Sequence, residues 1–128
     1  MTGAPSPDEQ IPLFEASLLA EVCAGDEVGR NQLIALFLDQ ATSAVEQLAA
    51  AVAAGDEHEV ERLAHRLKGS SAAVGALKLA EGAHRLCEAA RADGMKEGAE
   101  LQAGLERSLE STLSVLTAGG RPGSPGID

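Results

Sequence analysis

His65 stands in the segment Ala64-His65-Arg66-Leu67-Lys68-Gly69-Ser70-Ser71-Ala72-Ala73-Val74-Gly75-Ala76, whose residue types and spacing could do chemistry. Imidazole is a good nucleophile whose neutral form is available near pH 7, so a histidine can accept a phosphoryl group without a separate base. Lys68 lies about one helical turn further on, where its ammonium could steady an anion attached to a ring nitrogen. A glycine in mid-helix costs about 1 kcal/mol relative to alanine, so Gly69 followed by Ser70-Ser71-Ala72-Ala73 is a weak way to build an exposed helical face. Small residues there would serve access: a side chain at position 69 would stand over the ring, and its absence leaves the imidazole approachable by another macromolecule. An inert surface histidine beside a lysine and a glycine fits the same spacing, and the spacing alone does not separate the two.

The helix that carries His65 is legible from its apolar stripe. Val60, Leu63, Ala64, Leu67, Ser71 and Val74 recur at three-to-four residue intervals. At about 100° per residue, His65 lies roughly 140° from the centre of that stripe and is expected to be exposed. Asp56, three residues before Glu59, gives the pattern of an N-cap, and Gly75 is a natural C-terminal stop.

Four further helices are expected around it. A short one near Glu15–Ala24 carries Leu18, Leu19 and Val22 and would lid one end. A long one near Glu27–Ala54 places Leu33, Phe37, Ala41, Ala44, Leu48 and Val52 on one face. One near Ala76–Asp93 uses Leu79, Ala83, Leu86 and Ala90, and Gly94 ends it. The last, near Glu97–Thr117, uses Leu101, Leu105, Leu109, Thr112 and Leu116. Short connections between amphipathic helices of this length predict an all-α fold, an antiparallel up-down four-helix bundle with a short additional N-terminal helix. The domain is expected over residues 13–117. Pro5, Pro7 and Pro12 mark a flexible tail over 1–12, and the Gly- and Pro-rich end marks another over 118–128. Met1 and the two tails suggest a free-standing protein.

Composition narrows the function classes. With 128 residues, one domain is the natural reading. A formal net charge of −10 would repel nucleic acid and the anionic face of a membrane, so neither is an expected partner, although solubility alone also accounts for such a surface. No apolar run approaches the roughly 20 residues that span a bilayer. Cys23 and Cys87 lack metal-type spacing and read as reduced core thiols of a cytoplasmic protein. Glu81-Gly82-Ala83-His84 has the Glu-x-x-His spacing of carboxylate-bridged di-iron bundles, but it occurs once and off the apolar stripe, so no metal is expected. His58 and His84 read as solvated surface residues.

The segment Ala64–Ala76 resembles the signature of histidine-containing phosphotransfer (HPt) domains, which reads Ala-His-x-Leu-Lys-Gly-small-small, then a hydrophobic residue and Gly. Phe37-Leu38-Asp39-Gln40-Ala41, Ala53-Ala54-Gly55-Asp56 and Leu79-Ala80 are similar to the flanking segments of that family. The resemblance implies a four-helix bundle and a relay function: His65 as phosphoacceptor, Lys68 as electrostatic support and Gly69 as the position kept bare. Partners would be response-regulator receiver domains and a (hybrid) histidine kinase. The chain would be a phosphocarrier with no ATP site, no cofactor and no metal, acting as a monomer. Docking is expected on Arg62, Gly69, Ala72 and Ala73. Several members of the family carry a glutamine on the next helix that orients the histidine ring. Cys87 occupies that place here, and a thiol is a weak partner, which leaves water or a neighbour such as Glu88. Two alternatives stand beside the relay. One is a helical scaffold that binds a partner but is never phosphorylated. The other is the phosphotransfer fragment of a larger histidine kinase.

Overall fold

The computed structural model describes residues 11–92 and 94–119. It contains five α-helices, and the described residues form no strand. These are α1 (Ala16–Cys23), α2 (Glu27–Ala54), α3 (Glu57–Val74), α4 (Leu77–Ala92) and α5 (Gly98–Gly119). Four long helices run up and down around one core, and α1 packs on α2 and α3 at one end. The observed bounds fall within two residues of the expected ones. Most of the two expected tails, and Asp93, lie outside the described residues.

The signals expected at Asp56 and Gly75 act as anticipated, and Asp26 adds a second cap of the same kind. The Asp26 carboxylate accepts from the amide of Gly29 at 3.0 Å and starts α2, and that of Asp56 accepts from the amide of Glu59 at 3.2 Å and starts α3. The reciprocal half of a capping box does not form. The Glu59 carboxylate turns outward to Arg62, and the amide of Asp56 donates instead to the carbonyl of Ala51 at 3.0 Å. Gly75 ends α3 at φ 89°. That conformation favours glycine, and a Cβ there would also run into the backbone carbonyl of Glu15. The close approach has a purpose: the amide of Glu15 donates to the carbonyl of Gly75 at 2.7 Å, which ties the segment before α1 to the end of α3.

All six stripe residues of α3 are buried, and so are Leu79, Ala83, Leu86 and Ala90 of α4. On α5, Leu105, Leu109, Thr112 and Leu116 are buried. Burying each such leucine side chain contributes about 1.5–3 kcal/mol. The long helix α2 differs in detail. It buries Ile34, Phe37, Ala41, Val45, Leu48 and Ala51, while the expected Leu33, Ala44 and Val52 pack only partly against the core. This helix faces both α3 and α5, so its apolar arc is wider than one stripe, and those three residues fall on its margins. On α1 only Leu19 is buried, and Val22 is exposed. Where α4 meets α5, a Cβ at Gly82 would sit 3.0 Å from Leu105 Cδ1, so the glycine lets the two helices approach.

Candidate functional site

The packing of α3 decides where His65 points. Because Ala64 and Leu67 are held in the core, the residues between and beyond them on the opposite side face outward, and His65 is exposed. Among the described residues, no hydrogen bond or ion pair engages its ring. The imidazole opens onto a hollow of about 340 Å³ lined by His58, Glu61, Arg62, Arg66 and Arg91. Toward the C-terminal end of α3 the surface is bare. A Cβ built on Gly69 meets no heavy atom within 4 Å, and Ala72 and Ala73 are exposed. Side chains on a helix lean toward its N-terminus, so anything larger at position 69 would lean over His65.

The cations around the hollow differ in how they are held. The Arg62 guanidinium grips Glu59 through two contacts, Nε at 3.0 Å and a terminal nitrogen at 2.6 Å. That hydrogen bond holds the Glu59 carboxyl below its ordinary range and raises the guanidinium of Arg62. Arg91 of α4 donates to Glu61 of α3 at 2.8 Å and to Glu88 at 3.3 Å, and the hydrogen bond to Glu61 is the main cause of its raised pKa. Lys68, expected beside the ring, is half-buried and reaches across to α4, where its Nζ stands 3.4 Å from Nδ1 of His84. An ammonium can only donate, so Nδ1 of His84 is the accepting atom wherever this contact is a hydrogen bond. His84 is therefore not the fully solvated residue that its position suggested; the antiparallel run of α4 along α3 brings it beside Lys68. His58 is exposed, as expected.

A family model for the Hpt domain matches residues 32–115, about two thirds of the chain and all of the site just described. The chain belongs to the Hpt domain family. It is a histidine phosphotransfer protein of phosphorelay signalling, in a family of phosphocarriers rather than kinases. Its fold is similar to the crystal structure of histidine-containing phosphotransfer protein B (HptB) from Pseudomonas aeruginosa PAO1. The TM-score is 0.80 at 26% sequence identity, covering 85% of this chain and 95% of that one. No curated protein matches the sequence.

In this Hpt chain neither Cys87 nor Glu88 of α4 hydrogen-bonds the ring of His65. Cys87 is buried, and its Sγ donates to the carbonyl of Glu61 at 3.8 Å, one turn before His65. Glu88, the other residue considered for that task, accepts from Arg91 instead. The Glu81-x-x-His84 pair does not converge on a metal: Glu81 accepts from Arg85 at 3.2 Å while His84 faces Lys68. No group of three or more His, Cys, Asp or Glu among the described residues could hold a metal ion. No helix among them is long and apolar enough to cross a membrane.

Two residues of the hollow were not singled out from the sequence. Arg91 joins from another helix, and only tertiary packing could reveal that. Arg66 was legible in principle, since its neighbour is His65 and about 100° of helical rotation keeps it on the exposed side. Ser71 is fully buried, and its hydroxyl has no hydrogen-bond partner among the described residues. It packs as a small core residue beneath the bare patch.

Proposed function

We propose that His65 is the phosphoacceptor of this protein and that it relays a phosphoryl group between aspartates of receiver domains, one of them on a hybrid histidine kinase. The observation that carries this reading is the unengaged, exposed imidazole beside open space at Gly69. The neutral ring attacks the phosphorus of an aspartyl phosphate through its lone pair. The N–P bond forms as the acyl O–P bond breaks, and the aspartate leaves as a carboxylate. No base is needed, because the attacking nitrogen carries no proton, and the reverse step returns the group to a second aspartate. The chain itself supplies access and local positive charge and has no ATP chemistry of its own.

The partner is held on Gly69, Ala72 and Ala73 with Arg62 at the rim, a flat patch of small side chains that lets a receiver backbone come close. Lys68 acts from the side. Its contact with His84 keeps the ammonium near α4, from which it lends positive charge to the anion on His65. A transient complex with a modest interface suits a carrier that serves two receivers in turn. The protein works as a cytoplasmic monomer, and its net charge of −10 argues against nucleic acid as a partner.

The test is His65→Gln. The variant should fold as the wild type does, since an exposed position adds little to the core, and should accept no label from a phosphorylated receiver. A variant that still accepts label would overturn the assignment to His65, and a wild type that accepts none would leave an unphosphorylated scaffold as the better reading.

A further inference from the structure

Of the ten Lys and Arg residues, four cluster at the site: Arg62, Arg66, Lys68 and Arg91. Three of these are already engaged, Arg62 by Glu59, Arg91 by Glu61 and Glu88, and Lys68 by His84. Arg66 differs. It is exposed and makes no hydrogen bond or close ion pair among the described residues. Its charge reaches Glu59 through space, but that carboxylate is occupied by Arg62. Its position is also distinctive. Arg66 lines the hollow around His65 and, on its other side, a second hollow of about 320 Å³ between α2 and α3, bordered by Asp39, Gln40, Ser43, Gln47 and Ser70.

We infer that Arg66 is the residue that selects the partner, by taking a carboxylate on the receiver surface beside the phosphorylated aspartate. This rests on the phosphotransfer reading and names the contact through which that site chooses its partner. A long guanidinium with no hydrogen-bonded carboxylate among the described residues, on a protein of net charge −10, is a local positive point in a negative field. Its fork geometry suits a carboxylate more than a diffuse potential would require. Its place on the flank of α3, bridging two hollows, puts it under a partner lying across α2 and α3 rather than directly above the ring. The Asp39 carboxylate, which borders the second hollow, adds selectivity by repelling an acidic group that lies out of register.

The experiment measures the second-order rate of transfer from a phosphorylated receiver to wild type, Arg66→Glu, Arg66→Lys and Arg107→Glu, at low and high salt. Phosphoramidate serves as a small donor in parallel. Arg107 is exposed on α5 and gives the same change in net charge away from the site. Arg66→Glu should slow receiver transfer about tenfold or more at low salt, and the gap should narrow in high salt. Arg66→Lys should fall between it and the wild type. Arg107→Glu should stay within about twofold of the wild type. Transfer from the receiver should fall much further than labelling by phosphoramidate. If Arg66→Glu and Arg107→Glu behave alike, the inference fails while the phosphoacceptor reading stands. If both donors are lost equally in Arg66→Glu, Arg66 acts on the phosphoryl group or the ring, and recognition of a receiver carboxylate is overturned. If wild type takes label from neither donor, the phosphoacceptor reading itself fails.

Discussion

Replacing Gly69 by leucine should make the protein more stable and less able to transfer a phosphoryl group. A Cβ at this position meets nothing within 4 Å and the position is exposed, so the added side chain projects outward and not into the core. The remaining effect on stability is helix propensity, which favours leucine over glycine by about 0.8 kcal/mol in a helix interior. In a chain of this size that corresponds to a rise in Tm of about 3 °C. The same side chain leans toward the N-terminus and covers the approach to His65. Displacing a reacting atom by about 1 Å from the attack geometry can cost about 100-fold, and an isobutyl group would displace the incoming aspartate by at least that much. Thermal unfolding followed by circular dichroism reads the first effect, and the rate of transfer from a phosphorylated receiver reads the second. Gly69→Ala should gain similar stability with a smaller loss of rate. A Gly69→Leu protein that melts below wild type would show that the face is not open. One that transfers within about twofold of the wild-type rate would show that access is not controlled there.

Gly75→Ala should lose about 2 kcal/mol or more, because alanine is strained at positive φ and its Cβ meets the backbone carbonyl of Glu15, which cannot swing aside; urea unfolding with unchanged stability would contradict this. Lys68→Ala should slow transfer by about tenfold without abolishing it, since the nucleophile remains; a loss as complete as that of His65→Gln would give Lys68 a role beyond electrostatic support. The Glu59 carboxyl should titrate below its ordinary value of 4.5, and Arg62→Ala should move it back up. Because the folded-state pKa is lowered, the contribution of this pair is present above the unfolded value and disappears as the pH falls through the lowered one; an NMR titration midpoint at or above 4.5 would contradict the pairing.

The bundle and the exposure of His65 were readable from the chain for one physical reason: both depend on the helical period. Leu63, Ala64 and Leu67 announce the buried side of α3, and the same arithmetic puts His65 outside. Turn chemistry at Asp56 and Gly75 is equally local, and the cap and the stop form where the residues predict them. The long helix α2 was less well resolved, because a helix wedged between two neighbours has a broad apolar arc whose centre a single stripe does not locate. Long side chains were the least legible. Lys68 spans enough distance to reach either the ring or α4, and only the position of His84 on the neighbouring helix draws it there. The Arg91–Glu61 pair joins α3 to α4 and leaves no trace in local spacing.

The central claim is that one imidazole carries the phosphoryl group. Incubating the full chain with a phosphorylated receiver and locating the modified residue by mass spectrometry under conditions that preserve the acid-labile N–P bond tests it directly. The group should be found on His65, with His58 and His84 unmodified. Its location on either of those rings, or on a carboxylate, would contradict the account.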